Sequence, residues 1–341
     1  MFNRRLSLLA MACFGLLEPG LSAASSAQYT ITGIAVPGAR STVAMALNER
    51  GQVTGYAEML DGTPVTFVYS AGEYTLPDTL GASSIRARDI NDAGDIVGAY
   101  NLPGDDIDRN RAFAWIDGVT TDLGDLGTDD AFATAIDRRS TVYGVSGSHA
   151  FSWRKGHMRD LGAWDENSDV TVVMHVNAVG VAVGYAVDYG VRTTAFKADR
   201  NGRTPLPTLG GEHAAANGIN DHGTICGWAY TAGGKYHAFR YKNGEIADLG
   251  VLAGGPHSEA KAINNAGDIV GVSGSPRGDR AVIARAGSNQ VVDLNTLVEP
   301  QGWKLQDARD INDRGEIVGG GNQGAFLLTP IPGAGARPAG D

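Results

Sequence analysis

The sequence predicts an all-β fold, a seven-bladed β-propeller of four-stranded antiparallel blades, on three observations. One unit recurs seven times at a spacing of about 44 residues. Each unit holds four short apolar runs separated by Gly-rich turns, and the two ends of the chain carry complementary fractions of a unit. The unit is clearest in residues 90 to 98, Ile-Asn-Asp-Ala-Gly-Asp-Ile-Val-Gly. Aligned on its Asn, the copies fall at Asn48, Asn91, Asp137, Asn177, Asn220, Asn264 and Asn312. A Gly stands seven positions later every time, at Gly55, Gly98, Gly144, Gly184, Gly227, Gly271 and Gly319.

The first strand of each unit precedes the Asn. An apolar residue is always adjacent to it, as at Leu47, Ile90 and Ile219, and Ala usually stands four before it, as at Ala44, Ala87 and Ala216. The Asn-x-x-Gly that follows suits a tight hairpin, because Asn and Gly tolerate turn conformations closed to β-branched residues. The second strand is the Asp-Ile-Val-Gly type of run and the third an Ala-Phe run, as at Ala112-Phe113, Ala195-Phe196 and Ala325-Phe326. The fourth ends near Asp-Leu-Gly, as at 122 to 124 and 248 to 250. Side chains alternate along a strand, so Phe151 and Trp153 share one face while Ala150 takes the other, as a blade packed on both faces requires. Residues 29 to 34 stand where other units have a fourth strand, and the last unit stops after its third. The N-terminal strand is therefore expected to complete the last blade and remove the open edges. An open β-solenoid of the same units would not need the complementary ends.

In two copies a His precedes the Ala-Phe, giving His149-Ala150-Phe151-Ser152-Trp153 and His237-Ala238-Phe239-Arg240-Tyr241. Here the chain resembles the HAF-repeat family of extracellular repeat proteins, over nearly all of residues 29 to 330. It departs from that pattern at Asp137 and Ser140 in the third copy and at Val282 in the sixth. The resemblance implies export and repetition and implies no particular activity.

The N-terminus reads as a cleaved signal peptide of residues 1 to 27: Arg4 and Arg5, an apolar run from Leu6 to Leu17, then small residues up to Ala27. That predicts a secreted or periplasmic protein, with lipoprotein attachment at Cys13 as the alternative. The propeller then spans 28 to 330, and 331 to 341 is expected to be a disordered tail. Cleavage leaves Cys226 as the single cysteine, so no intramolecular disulfide is available. Cys226 fills the slot that Val97, Val270 and Val318 occupy elsewhere and reads as a small buried hydrophobe. Removal of Arg4, Arg5 and Glu18 leaves a net charge of about −11, which argues against nucleic acid as a partner. No transmembrane segment is expected, and a monomer is.

The turns between first and second strands and between third and fourth are short and alike. The other two connections vary, and in an antiparallel blade both lie at one end, so the variable loops collect on one face, where binding usually resides. Candidate ligand-face residues are Asp105, Asp130, Trp164, Asp165, Tyr189, Glu212, Tyr236 and Glu259. Asp106, Asp108 and Asn110 match the opening of a calcium loop, although Arg111 stands where its Gly belongs, and a solvated acidic loop is the plainer reading. His213 and His257 both lie seven before their Asn on successive units and could share a metal. His149 and His237 read as strand residues packed or bonded between blades. No cofactor is expected, calcium excepted, and no catalytic motif is present: no Gly-x-Ser-x-Gly elbow, Cys-x-x-Cys pair or His-Glu-x-x-His helix. The expected function is a non-enzymatic binding propeller for an extracellular carbohydrate or protein. The alternatives are a polysaccharide hydrolase or lyase, with Asp130, Asp169 and Glu259 brought near the axis, and a structural extracellular repeat protein.

Overall fold

The computed structural model describes residues 27–105, 109–166, 168–188 and 190–334. The proposed signal peptide, apart from Ala27, and positions 335 to 341 of the expected tail lie outside them. Seven four-stranded antiparallel sheets follow one another round a ring. The first strands, Ala39–Leu47, Ser84–Ile90, Ala131–Ile136, Ser168–Val176, Gly210–Ile219, Ser258–Ile263 and Leu305–Ile311, each neighbour the next and close on themselves, so they line the axis. Closure is as the chain ends predict: Tyr29–Ile34 pairs antiparallel with Gly324–Pro330 as the outermost strand of the seventh blade. Leu297 O accepts from the N–H groups of Gln28 and Tyr29, and Ile331 N–H donates to Gln28 O, so both ends are tied into this blade. The sixth blade has the shortest outer strand, Val292–Asp293, which runs into a single 3-10 turn, Leu294–Thr296. Among the described residues no helix is long and apolar enough to cross a membrane.

The core lies between blades. The third-strand Phe of six copies, Phe67, Phe113, Phe151, Phe196, Phe239 and Phe326, is fully buried. Each packs across the gap onto the preceding blade. Phe151 sits in one cluster with Ala112 and Ala114, Phe239 with Ala195, and Phe67 with Ala325 across the closure. One large and one small residue on opposite faces of the same strand thus fit successive blades together. Val282 takes the Phe position in the sixth blade and is equally buried. Cys226 is free and fully buried in the cluster joining the fifth and sixth blades, where burial pushes its thiol pKa up.

The repeated Asn does two jobs. Its Oδ1 accepts from the N–H four residues on in every copy, as for Gln52, Thr224 and Asp268, which fixes the hairpin turn. Its Nδ2 donates to the backbone carbonyl of the corresponding residue in the next blade, Asn48 to Asn91, Asn91 to Asp137, Asn177 to Asn220, Asn220 to Asn264, Asn264 to Asn312 and Asn312 back to Asn48, at 2.9–3.3 Å. These Asn side chains are buried. Asp137 performs the turn role, accepting from Arg139 and Thr141, but a carboxylate has no N–H to pass on, so the ring lacks its link to Asn177.

The Gly seven positions on answers a different constraint. Every first strand carries a β-bulge, between Ala260 and Ala262 in the sixth blade for example. Beside it the second strand approaches so closely that a Cβ on Gly271 would lie 1.9 Å from Glu259 O. The same clash, at 1.9–2.2 Å, awaits a side chain at all seven positions.

Two stability effects should follow. Asn264→Ala should lower unfolding free energy by about 2–3 kcal/mol, because it removes the turn and leaves the buried Asn312 carbonyl without its donor. Asp137→Asn should raise it by about 1 kcal/mol by supplying the missing link. Chemical denaturation of both variants checks this, and a stabilised Asn264→Ala would refute the ring's role.

Candidate functional site

Two places in the ring gather side chains able to hold a ligand. The first is on the end where the variable loops lie. On the fifth blade, Trp228 and Tyr230 of the second strand share a face, and Tyr236 of the third strand is directly paired with Tyr230. The three rings stand 5.9–6.0 Å apart at tilted or edge-on angles. His213 packs on Tyr230 at 5.1 Å, and His257, from the loop entering the sixth blade, stacks on Tyr236 at 5.0 Å. All five rings are half-buried and Glu212 beside them is exposed. The equivalent positions of other blades do not repeat the set: Trp228 corresponds to Tyr56 and Tyr185 in two blades and to Ala99, Val145 and Gly320 in others, but Tyr230 corresponds to Glu58, Val187, Gly147 and Gly274.

Of the other ligand-face candidates, several are committed to the scaffold. Trp164 stacks on the buried Phe196 at 5.3 Å. Asp105 accepts from Leu102 N–H and pairs with Arg111 at 3.2 Å, and the Arg111 hydrogen bond holds its carboxyl below the usual range. Asp130 accepts from both the backbone and side chain of Asn110. Asp165 accepts from the Ser168 hydroxyl at the blade surface. Tyr189 and the calcium-loop residues Asp106 and Asp108 lie outside the described residues. His213 and His257 are separately engaged. His213 Nδ1 accepts from Thr193 N–H, and His257 Nε2 lies 3.5 Å from Asp279. Among the described residues no three His, Cys, Asp or Glu side chains are grouped to hold a metal ion. His149 and His237 bond within their own blade rather than between blades. Each pairs through Nδ1 with the Asp of Asp-Leu-Gly on the adjoining outer strand, Asp160 and Asp248, at 2.9 Å. A motif in the third strand and one in the fourth thus lock together.

The second place is the axial channel, a cavity of about 430 Å³ that opens at the end of the short first turns, opposite the variable loops. The bulges build it. In every blade but the third, two consecutive residues of the first strand line the cavity, among them Arg88-Asp89, Met174-His175, Lys261-Ala262 and Arg309-Asp310. Asp89 accepts from Ile90 and Ile136 N–H, and Asp310 from Ile311 and Leu47 N–H, so each carboxylate spans two blades. Glu259 lies deeper, accepting from Asn217 Nδ2 at 3.0 Å. Lys261 and Arg309 both pair with Asp307, at 2.7 and 2.9 Å. Burial opposes ionisation of Asp307, but these two cations hold its carboxyl below the usual range.

Burial raises the carboxyls of Asp89, Glu259 and Asp310, with Asp310 pushed up to about 7. Two N–H groups partly offset burial at Asp310, while Asp89 and Glu49 add to it as negative neighbours. Of the three acids expected near the axis, only Glu259 lines the channel. Asp130 is held by Asn110, and Asp169 is exposed on the first strand of the fourth blade. Sequence reasoning missed Asp89 and Asp310. The signal for them was variation at two adjacent positions of an otherwise regular strand.

No protein-family model matches the sequence, and no curated protein matches it. Among solved structures, the extracellular domain of a proposed one-component system of B. thetaiotaomicron is similar at TM-score 0.51 and 12% identity, covering 89% of this chain and 40% of that one. A gluconolactonase from Xanthomonas campestris is similar at 0.45 and 10% identity, with 89% and 95% covered. TolB from Acinetobacter baumannii is similar at 0.46 and 13% identity, with 79% and 76% covered. At such identities the likeness is one of fold alone. The chain is a seven-bladed β-propeller.

The raised carboxyl of Asp310 gives a pH dependence with a definite sign. Its folded-state value stands above the unfolded one, so its contribution to stability is full below about pH 4 and is lost as pH rises toward 7. Asp310→Asn lacks that term. The variant should therefore gain on the parent between pH 4.5 and 8, by at most about 1.4 kcal/mol per pH unit crossed. Denaturant midpoints of both proteins at the two pH values measure it, and an unchanged difference would refute the assignment.

Proposed function

We propose that the protein is an exported, non-enzymatic propeller that binds an extracellular oligosaccharide on its variable-loop face, at the aromatic cluster of the fifth blade. The observation that carries this reading is the set of Trp228, Tyr230 and Tyr236 rings, flanked by His213 and His257 and half-open to solvent. Aromatic faces offer an apolar surface to the C–H faces of a sugar ring, and their polar tips can hydrogen-bond its hydroxyls. Glu212 adds an exposed acceptor at the edge of the patch. A rigid ring of blades holds such a platform without ordering a loop on binding, which preserves affinity. The His-Ala-Phe copies and the signal-like N-terminus support membership of the HAF-repeat family and an address outside the cytoplasm.

A glycan array probed with the purified protein tests the reading. One class of oligosaccharide should bind and emerge unshortened. Tyr236→Ala should weaken its binding at least tenfold, about 1.4 kcal/mol, while Trp164→Phe, away from the cluster, should not. Binding that survives Tyr236→Ala and Trp228→Ala together would remove the proposed site, and shortening of the bound chain would replace binding by catalysis.

A further inference from the structure

We propose that the axial channel is a second, independent site, which takes a small organic ammonium ion between the carboxylates of Asp89 and Asp310. The cavity, about 430 Å³, is within the usual range for small-molecule sites. Eight acidic and four basic side chains line it, so it attracts positive charge along its length.

Most of the lining cations are already used. Lys261 and Arg309 hold Asp307, and Arg309 also donates to Ala44 O. Arg138 reaches across the mouth to Asp92 and Asp221, 3.4 Å from each. Arg88 borders both the channel and a shallow groove beside Asn101 and Phe132.

Asp89 and Asp310 differ from the other acids. Each accepts from two backbone N–H groups, and neither forms an ion pair among the described residues. A carboxylate has room for about four hydrogen bonds, so both keep acceptor capacity. A carboxylate withdrawn from water without a cation is costly, and a bound cation relieves that cost. Ala46 occupies the matching position on the first blade, between the seventh and second, where it lines the cavity and packs with Val68 and Ile85, so no third acid stands between the two. On the fourth blade His175 adds a buried Nδ1 with no hydrogen-bond partner.

A compact hard cation prefers six or more oxygens converging on one point. The channel instead distributes its acceptors over several blades, an arrangement that suits a ligand with several N–H donors. Glu49, Asp92, Asp221 and Asp313 stand at the mouth, on the path such a ligand would enter.

Isothermal titration of the purified protein at constant ionic strength tests this with 1,4-diaminobutane, spermidine, succinate and calcium chloride as probes. At least one amine should bind below millimolar concentration, and succinate and calcium should not. The double variant Asp89→Asn/Asp310→Asn should lose at least tenfold in amine affinity. If that variant fails to fold, the single variants Asp89→Asn and Asp310→Asn should each give part of that loss, at least about threefold. Absence of amine binding overturns the proposal, as does amine binding unchanged in the variants or preferential binding of calcium or succinate. Glycan binding at the fifth blade should be unaffected by Asp310→Asn, so failure of one site leaves the other standing.

Discussion

The structure depends on a side-chain amide that speaks to two neighbours at once. In each blade the repeated Asn fixes its own turn through Oδ1 and reaches the next blade through Nδ2, so local and global order are set by one residue. The bonds are buried, and an unmade buried hydrogen bond costs more than a made one gains. That asymmetry explains why Asn rather than Asp fills six of the seven positions. A second relay runs just outside it. The side chains of Asp92, Asp221, Asn265, Asp313 and Glu49 each accept from the backbone N–H of the residue at the matching place in the preceding blade.

The third blade shows what happens when the rule is broken. Asp137 keeps the turn and drops the link. Ser140 replaces the turn Gly and sits at φ 57, a left-handed conformation that costs a residue with a Cβ, while its hydroxyl donates to Asp95 on the second blade. Arg138 stands where the second relay would have an acceptor, and it ties the third blade to the second and fifth by charge instead. The mouth of the channel is therefore least symmetric at this point, and the asymmetry gives one side of a pseudo-symmetric ring its own chemistry.

Much of the fold was legible because a propeller writes itself repeatedly. The Asn and Gly columns, the Ala-Phe strands and the split last blade were plain in the sequence, and the closing strand followed from them. The reason for the Gly column was not legible: turn chemistry explains Gly51 or Gly267, but Gly271 is required by a backbone contact that exists only once the bulge has formed. The same bulge hid the channel. Strict alternation turns only one of Arg88 and Asp89 toward the axis, whereas the extra residue presents both. The loop face was legible in part. Tyr236, Glu212 and the two His residues were found by position, and Trp228 and Tyr230 were missed because they lie inside a strand and meet Tyr236 only through the hairpin pairing.

Native-state hydrogen exchange most directly tests the claim that this Asn ring holds the blades together. The backbone amides of Gln52, Asp95, Val181, Thr224, Asp268 and Glu316, each accepted by a ring Asn, should exchange only with global unfolding and at closely similar free energies. Exchange of these amides as fast as in the exposed turn at Gly62, or at widely different rates from blade to blade, would show that the ring is a consequence of the packing and not its anchor.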